Sequence, residues 1–303
     1  DGRLRLVRPV GHQLRRRSVW LYIGALLALV FVAVREMTVA LDVDVLVNAP
    51  DQLLEYVGLA GMWGLLVTAA LAADAATRDV QVRMEGLLYT TPVGKGAFLG
   101  GRFLGVLVLN VGLMVAATGV VALAVYTSGA SPERLGAFGA AAYVRPFVIV
   151  ALPNAFVGTV LLYAAALLSR RGVASYAVGA ILLVGVQLHL MITAEQLGQY
   201  ALAAHLDPLG LIATVLHGRT LTPIEKNTLS VSFEGWIATN RLLWLGVAAV
   251  VGGLTARRFR LAHHAPTGGR FRWAGGPPGA TGGGPRAPPP PRPPPAATHR
   301  PPA

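Results

Sequence analysis

Six apolar stretches divide the chain, and each is long enough to cross a bilayer as an α-helix, which takes about 20 residues. Polar and charged residues collect in the connections between them. The stretches cover residues 19–41, 56–73, 103–126, 147–168, 173–193 and 236–256. This pattern predicts an all-α polytopic membrane protein with six transmembrane helices.

Composition agrees with this class, because 54% of the 303 residues are hydrophobic and only 13% are charged, about half the charged share of a soluble domain. The absence of cysteine excludes disulfides, thiol nucleophiles and cysteine-bound zinc. We expect three parts: a basic cytoplasmic segment (1–18), the six-span body (19–258) and a disordered, basic, proline-rich tail (259–303).

The basic residues predict the orientation of the spans. If the amino terminus is cytoplasmic, 20 of the 26 lysines and arginines fall on the cytoplasmic side, as the positive-inside rule requires. Both termini are then cytoplasmic and lie beside anionic lipid. The net charge of +12 therefore indicates membrane lipids, not nucleic acid, as a partner. Twenty-four arginines against two lysines favour a bacterial cytoplasmic membrane.

The connection 194–235 carries two signals for short helices at the outer face of the membrane. Asp207 followed by Pro208 is typical of an N-cap with proline at the first helical position. Thr222 and Glu225 have the spacing of a capping box. The sequence therefore predicts one or two short helices in this connection.

Few polar residues occur inside the predicted spans. They are Asn110, Asn154, Gln187 and His189. Such groups commonly hydrogen-bond between helices, but they could also line a transport pathway, and His189 could relay protons. Arg241 lies near the outer end of the sixth span, and we expect its long side chain to reach the interface by snorkelling.

No catalytic centre is evident in the sequence. It lacks His-Glu-x-x-His and Gly-x-Ser-x-Gly, the signatures of zinc peptidases and of serine hydrolases. Gly94-Lys95 is not part of a nucleotide-binding loop, because Tyr89 replaces the first glycine and Gly96 replaces the magnesium-binding Ser or Thr. We therefore expect no enzyme, and no cofactor or metal held by this chain.

The connection 78–102 has the pattern of an amphipathic cytoplasmic helix followed by a break. The apolar face of that helix carries Val80, Met84, Leu87 and Leu88. Pro92 ends the helix, since proline disfavours helical geometry in the residue before it. Such a segment suits either the docking of a soluble partner or a position on the inner leaflet.

The same segment resembles the cytoplasmic signature of type-2 ATP-binding-cassette (ABC) exporter permeases. The residues that carry the resemblance are Glu85, Leu87, Leu88, Thr91, Pro92, Gly101 and Arg102. Three later stretches, 206–210, 221–227 and 240–244, are similar to the permease part of a subgroup in which some members continue into a zinc aminopeptidase. Together the resemblance covers residues 10–258.

The resemblance implies a permease subunit that exports an unidentified substrate, pairs with itself or with a homologous permease, and uses ATP and magnesium bound by a separate ATPase subunit. Closure of the ATPase would push on the segment between the second and third spans. The implied contact residues are Arg83, Met84, Glu85, Leu87, Leu88, Tyr89, Thr91, Pro92 and Lys95.

Two other function classes stay open at this point. One is a membrane scaffold or anchor that transports nothing. The other is an ion-coupled carrier, which is disfavoured because no acidic or basic residue lies in the interior of the first five predicted spans and such carriers place ionisable groups near mid-membrane.

Overall fold

The computed structural model describes residues 17–81 and 94–259. These residues form helices and connecting turns without any β-strand, and six of the helices are long and apolar enough to cross a membrane. The prediction of an all-α, multi-pass membrane protein is confirmed at this level. The predicted basic segment (1–18) is described only from Arg17, and the predicted tail (259–303) only at Phe259.

The six spans alternate with short connections, except after the fifth, which is followed by three short helices. The helices are α1 (Arg17–Val39), α2 (Pro50–Gln81), α3 (Lys95–Tyr126), α4 (Ala140–Ser169), α5 (Gly172–Glu195), α6 (Tyr200–Leu206), α7 (Leu211–Arg219), α8 (Pro223–Thr228) and α9 (Gly235–Arg258). The spans are α1 to α5 and α9.

The connections divide the molecule into two ends. Connections 40–49, 127–139 and 196–234 lie at one end, which we call the loop-rich end. The other end, which we call the basic end, holds the cations of the first turn or two of α3, of the α4–α5 turn and of the last turn of α9. These are Lys95, Arg102, Arg170, Arg171, Arg257 and Arg258.

Helices α2 and α3 extend beyond the apolar stretches that predicted them. Each has 32 residues, or about 48 Å at 1.5 Å per residue, against a hydrocarbon core of about 30 Å. α2 starts at Pro50, before the predicted start at 56, and α3 starts at Lys95, before the predicted start at 103. Hydropathy measures only the part of a helix that lies in hydrocarbon, so it underestimates the length of a helix that projects into water.

Helices α2 and α4 form the centre of the bundle. In their most apolar windows, 72% of α2 and 61% of α4 is buried, against 33% or less in each of the other four spans. The outer spans instead expose large apolar side chains such as Leu21, Val173 and Val250. Exposure of this kind is expected where the solvent is lipid, since apolar burial provides no driving force between helices there.

Glycines on α2 allow its neighbours to approach closely. Gly61 and Gly64 lie one turn apart, and a Cβ atom at Gly61 would come within 3.0 Å of Asn154 Nδ2. At Gly64 an added Cβ would collide with Met114 Cε. Small residues at helix interfaces are the usual means of close packing in membranes, and here they bring α3 and α4 onto α2.

A π-helical stretch interrupts α4 at Phe147–Ala151. Pro146 precedes it, and Pro153 follows within the next turn. Because proline has no N–H, it cannot donate the regular helical hydrogen bond, and the local widening accommodates this loss. The helix continues through the stretch to Ser169.

The connection after α5 contains three short helices, where one or two were predicted. The predicted capping box at the start of α8 is confirmed, since the Thr222 N–H donates to Glu225 Oε2 (2.7 Å) and the Glu225 N–H donates to Thr222 Oγ1 (3.4 Å). The backbone and hydroxyl of Thr222 lower the pKa of the Glu225 carboxyl. The cap therefore contributes fully above the ordinary pKa of a glutamate and is lost as pH falls through the lowered value.

The prediction that Asp207 is an N-cap followed by a helical Pro208 is wrong. Asp207 ends α6, and α7 begins only at Leu211, because Gly210 turns the chain in a left-handed conformation with φ of +72°. Even so, the Asp207 carboxylate accepts the Leu209 N–H (2.9 Å) and the Ile212 N–H (2.8 Å). It therefore caps α7 from outside the helix.

Candidate functional site

Asn110 of α3 joins its own helix to the two central spans, α2 and α4, by buried hydrogen bonds. Its Nδ2 donates to the Ala155 carbonyl (3.1 Å) and to Thr159 Oγ1 (3.0 Å) on α4. Its Oδ1 accepts the Thr68 hydroxyl of α2 (3.0 Å). Each of these side-chain hydrogen bonds of Asn110 runs to another helix, which is typical of a residue that holds helices together.

A second and larger polar cluster is centred on Arg241 of α9. Its side chain is 1% exposed, and its Nη1 donates to Asn154 Oδ1 of α4 (2.5 Å). Its Nε (2.9 Å) and its Nη2 both donate to Asn240 Oδ1. The prediction that Arg241 snorkels to the interface is therefore wrong, because amide acceptors and the space left by Gly210 hold the guanidinium inside.

Asn240 connects this arginine to the short helices. Its Nδ2 donates to the carbonyls of Ala204 and Asp207, the latter at 2.8 Å. The Asp207 side chain, which is fully buried, accepts Gln187 Nε2 of α5 at 2.8 Å. We call the set Asn154, Gln187, Asp207, Asn240 and Arg241 the Arg241 network.

The Arg241 network contains one buried cation and one buried anion, Arg241 and Asp207, which interact electrostatically. Burial of a charge is costly, and here it is offset by the hydrogen bonds that Arg241 donates and Asp207 accepts. The network reaches α4, α5, α9 and the α6–α7 turn. It therefore locks three spans and the short helices together at the loop-rich end.

The other polar residues predicted within the spans differ in position. Asn154 and Gln187 belong to the Arg241 network, and Asn154 Nδ2 is buried without a hydrogen-bond partner among the described residues. His189 is exposed on α5. Of the four predicted polar residues, three thus connect helices and one faces outward.

Helix α2 brings two acidic residues into its first turns at the loop-rich end. Asp51 is 2% exposed, and its Oδ2 lies 3.8 Å from the Nζ of Lys226 on α8. Glu55 follows one turn later and is half-buried. The predicted span 56–73 contains no charged residue, as expected. The helix α2 starts before residue 56, however, and includes Asp51 and Glu55.

Most of the predicted ATPase-contact residues lie outside the described part of the chain. These are Arg83, Met84, Glu85, Leu87, Leu88, Tyr89, Thr91 and Pro92. Lys95 is described, and it begins α3 with its Nζ donating to the Arg257 carbonyl of α9 (3.3 Å). Two turns later, Arg102 Nη1 donates to the Ala75 carbonyl of α2 (3.0 Å).

These two bonds connect α3 to α9 and to α2 where α3 emerges from the undescribed connection 82–93. The Arg102 guanidinium also lies over the Phe98 ring, 4.3 Å from its centroid. The start of α3 is thus fastened to two other spans at the basic end.

A groove of about 650 Å³ opens between α3, α4 and α9 at the same end. Lys95 and Arg257 are at its mouth, and its walls are apolar. Neither this groove nor the Arg241 network was predicted from the sequence. Two features of the sequence could have indicated the network. One is the polar pair Asn240-Arg241 inside an apolar helix, and the other is the Asp-Pro-x-Gly turn at 207–210.

No family model matches the chain, and no curated protein matches it. Function is therefore inferred from the residues and their geometry.

Proposed function

We propose that this chain is the transmembrane permease subunit of an ABC exporter, driven by ATP that a separate subunit hydrolyses. The observation that carries the proposal is the length of α2 and α3. Each of these helices is more than ten residues longer than a helix needs to be to span the bilayer core, and the two flank the connection 82–93. That connection carries most of the residues that resemble the coupling segment of such permeases.

Charge supports a cytoplasmic position for this connection. Eight cations of the described chain mark the basic end, the six named above together with Arg17 and Arg78, whereas most of the carboxylates of the described chain lie at the loop-rich end. The positive-inside rule assigns the basic end to the cytosol, where a soluble ATPase would be. A connection held beyond the membrane on that side is accessible to such a partner.

The contacts at the basic end supply a route for mechanical coupling. A push on the connection 82–93 would act on the last turns of α2 and on Lys95 of α3, which are tied together through Arg102 and to α9 through Arg257. Helix α9 then carries the movement to the Arg241 network. In this proposal α4, α5 and α9 move as one body between inward-facing and outward-facing states.

Six spans form half of a translocation pathway in this family, so the proposal includes a second permease subunit, identical or homologous. ATP and magnesium would be bound by the ATPase subunits. The substrate is not specified by any described residue.

Orientation is the first testable consequence. Because the chain has no cysteine, single cysteines can be placed at two exposed positions, Gly94→Cys at the basic end and Ser131→Cys at the loop-rich end. In whole cells, a membrane-impermeant maleimide should label Ser131→Cys and leave Gly94→Cys unlabelled until the cells are opened. Labelling of Gly94→Cys from outside would place the coupling connection on the wrong side and end the proposal.

Association with an ATPase is the second consequence. The tagged chain, expressed in its own host, should co-purify magnesium-dependent ATPase activity. The double variant Glu85→Lys with Leu88→Asp should reduce that activity about tenfold or more, because it reverses one charge and buries another at the contact.

The matched control reverses one acidic charge and replaces one apolar residue by Asp at the loop-rich end, Glu133→Lys with Val43→Asp, at two exposed positions. It should keep the wild-type ATPase activity and the same membrane insertion. If the tagged wild-type chain carries no ATPase activity, or if both double variants retain it equally, a scaffold that transports nothing explains the chain better.

A further inference from the structure

The groove between α3, α4 and α9 has smooth walls built from small residues. The residues that give it width are Gly96 and Gly100 on α3, Ala164 on α4, and Ala248, Gly252 and Gly253 on α9. Its volume of about 650 Å³ is within the usual range for ligand sites. All three helices are candidate spans, so the groove is formed between helices that lipid would surround.

Aromatic side chains close the inner end of the groove. Phe103 stands between Phe156 and Tyr163, with ring centroids 6.2 Å and 6.0 Å away. From Arg257 at the mouth to Ala248, α9 rises by about 13 Å at 1.5 Å per residue. This depth is close to half of the roughly 30 Å hydrocarbon core, so the groove extends through one leaflet.

The mouth of the groove is cationic. Lys95 and Arg257 line it, and their contact through the Arg257 carbonyl (3.3 Å) holds the ammonium of Lys95 beside the opening. No described residue that lines the groove is acidic, and apart from these two cations only Thr255 and Tyr163 are polar. An apolar channel of one-leaflet depth beneath two cations matches an acyl chain beneath a negatively charged headgroup.

We propose that this groove binds an anionic phospholipid, with one acyl chain between α3, α4 and α9 and the phosphate at Lys95 and Arg257. Basic pockets between spans bind anionic headgroups by charge, and charge-assisted hydrogen bonds to phosphate oxygens add to this. The acyl chain fills space that would otherwise leave apolar walls without contacts. The inference does not depend on an ATPase partner, so it stands or falls independently of the proposed function.

The test measures lipid retained by the full-length chain in detergent, by native mass spectrometry after incubation with phosphatidylglycerol or phosphatidylcholine. Wild-type chain should retain phosphatidylglycerol with an affinity about tenfold or more above that for phosphatidylcholine, since each cation near the headgroup contributes. Lys95→Gln should lower this preference several-fold. Arg145→Gln, an exposed arginine at the other end of α4, should leave it unchanged.

A second pair of variants tests the acyl-chain part of the site. Gly100→Leu with Gly252→Leu should fill the groove, because a Cβ at Gly100 has no neighbour within 4 Å and one at Gly252 meets only Val160 Cγ1 at 3.7 Å. Retention of phosphatidylglycerol should then fall to the background level. Gly112→Leu with Gly246→Leu, on the same two helices and equally open, should retain the lipid.

Four results would overturn the proposal. One is equal retention of phosphatidylglycerol by the filled and the control variants. The second is equal binding of phosphatidylglycerol and phosphatidylcholine by wild-type chain. The third is displacement of the lipid by glycerol phosphate alone, which would make the site a phosphate site without an acyl chain. The fourth is loss of a dimer in the filled variant without loss of lipid, which would assign the groove to a second copy.

Discussion

Arg241→Leu is expected to lower the free energy of unfolding by about 2–5 kcal/mol, because it removes a buried guanidinium that satisfies two buried amide oxygens. Two effects add up in this variant. The buried Asp207 carboxylate loses the favourable electrostatic interaction with Arg241, and the Oδ1 atoms of Asn154 and Asn240 lose their guanidinium donors. Each unsatisfied buried acceptor costs about 1–3 kcal/mol by itself.

The measurement is thermal or denaturant-induced unfolding of the purified chain in detergent, followed by tryptophan fluorescence. Trp244 is a suitable local reporter, because its Nε1 donates to the His205 carbonyl (3.0 Å) beside the network. Arg241→Lys should be intermediate, since lysine keeps the charge but lacks the planar fork of donors. Arg258→Leu, at an exposed position of the same helix, should change stability by no more than about 0.5 kcal/mol.

An unfolding midpoint for Arg241→Leu equal to that of Arg258→Leu would contradict the burial of the guanidinium. An Arg241→Lys variant as stable as wild type would show that charge alone matters and that the amide acceptors do not.

The six spans could be predicted because hydrocarbon imposes a length and a composition on each helix separately. No information from other parts of the chain is needed. The ends of the helices could not be predicted in the same way: α2 continues to Gln81 and α3 begins at Lys95, where the residues are polar enough to leave the membrane yet still helical. Segment hydropathy does not distinguish a helix in water from a loop.

The Arg241 network could not be predicted for a different reason. The hydrophobic pattern shows an arginine near a helix end, and snorkelling is the usual solution for such a residue. Burial depends on acceptors from Asn154 and Asn240, of which the first is 87 positions away. It also depends on the missing side chain at Gly210, which only the folded chain places beside the guanidinium.

The position of the network gives it a consequence for the proposed transport cycle. Coupling to an ATPase would begin at the basic end, whereas the network lies at the loop-rich end of the same helix, α9. In the proposed cycle, a rigid connection at the far end would make α4, α5 and α9 move together, because packed elements switch between discrete arrangements. Weakening the network should therefore reduce coupling even where the chain still folds and still binds its ATPase.

Gly210→Ala is the second variant expected to have a large effect, a loss of about 2–5 kcal/mol in the free energy of unfolding. Gly210 has φ of +72°, a conformation that costs residues with a Cβ atom roughly 1–2 kcal/mol. In addition, the new Cβ would collide with the guanidinium of Arg241, and overpacking of this kind costs about 1–3 kcal/mol. The unfolding measurement used for Arg241→Leu applies without change.

Gly198→Ala separates the two causes. Gly198 has a similar φ of +66°, but a Cβ there has no neighbour within 4 Å, so only the conformational cost of about 1–2 kcal/mol is expected. The excess loss in Gly210→Ala over Gly198→Ala then measures the collision. In an Arg241→Leu background this excess should shrink, because the group that collides is gone and neighbouring substitutions do not add. If the excess is absent in the wild-type background, or persists undiminished when Arg241 is replaced, the guanidinium does not occupy the space that Gly210 leaves open.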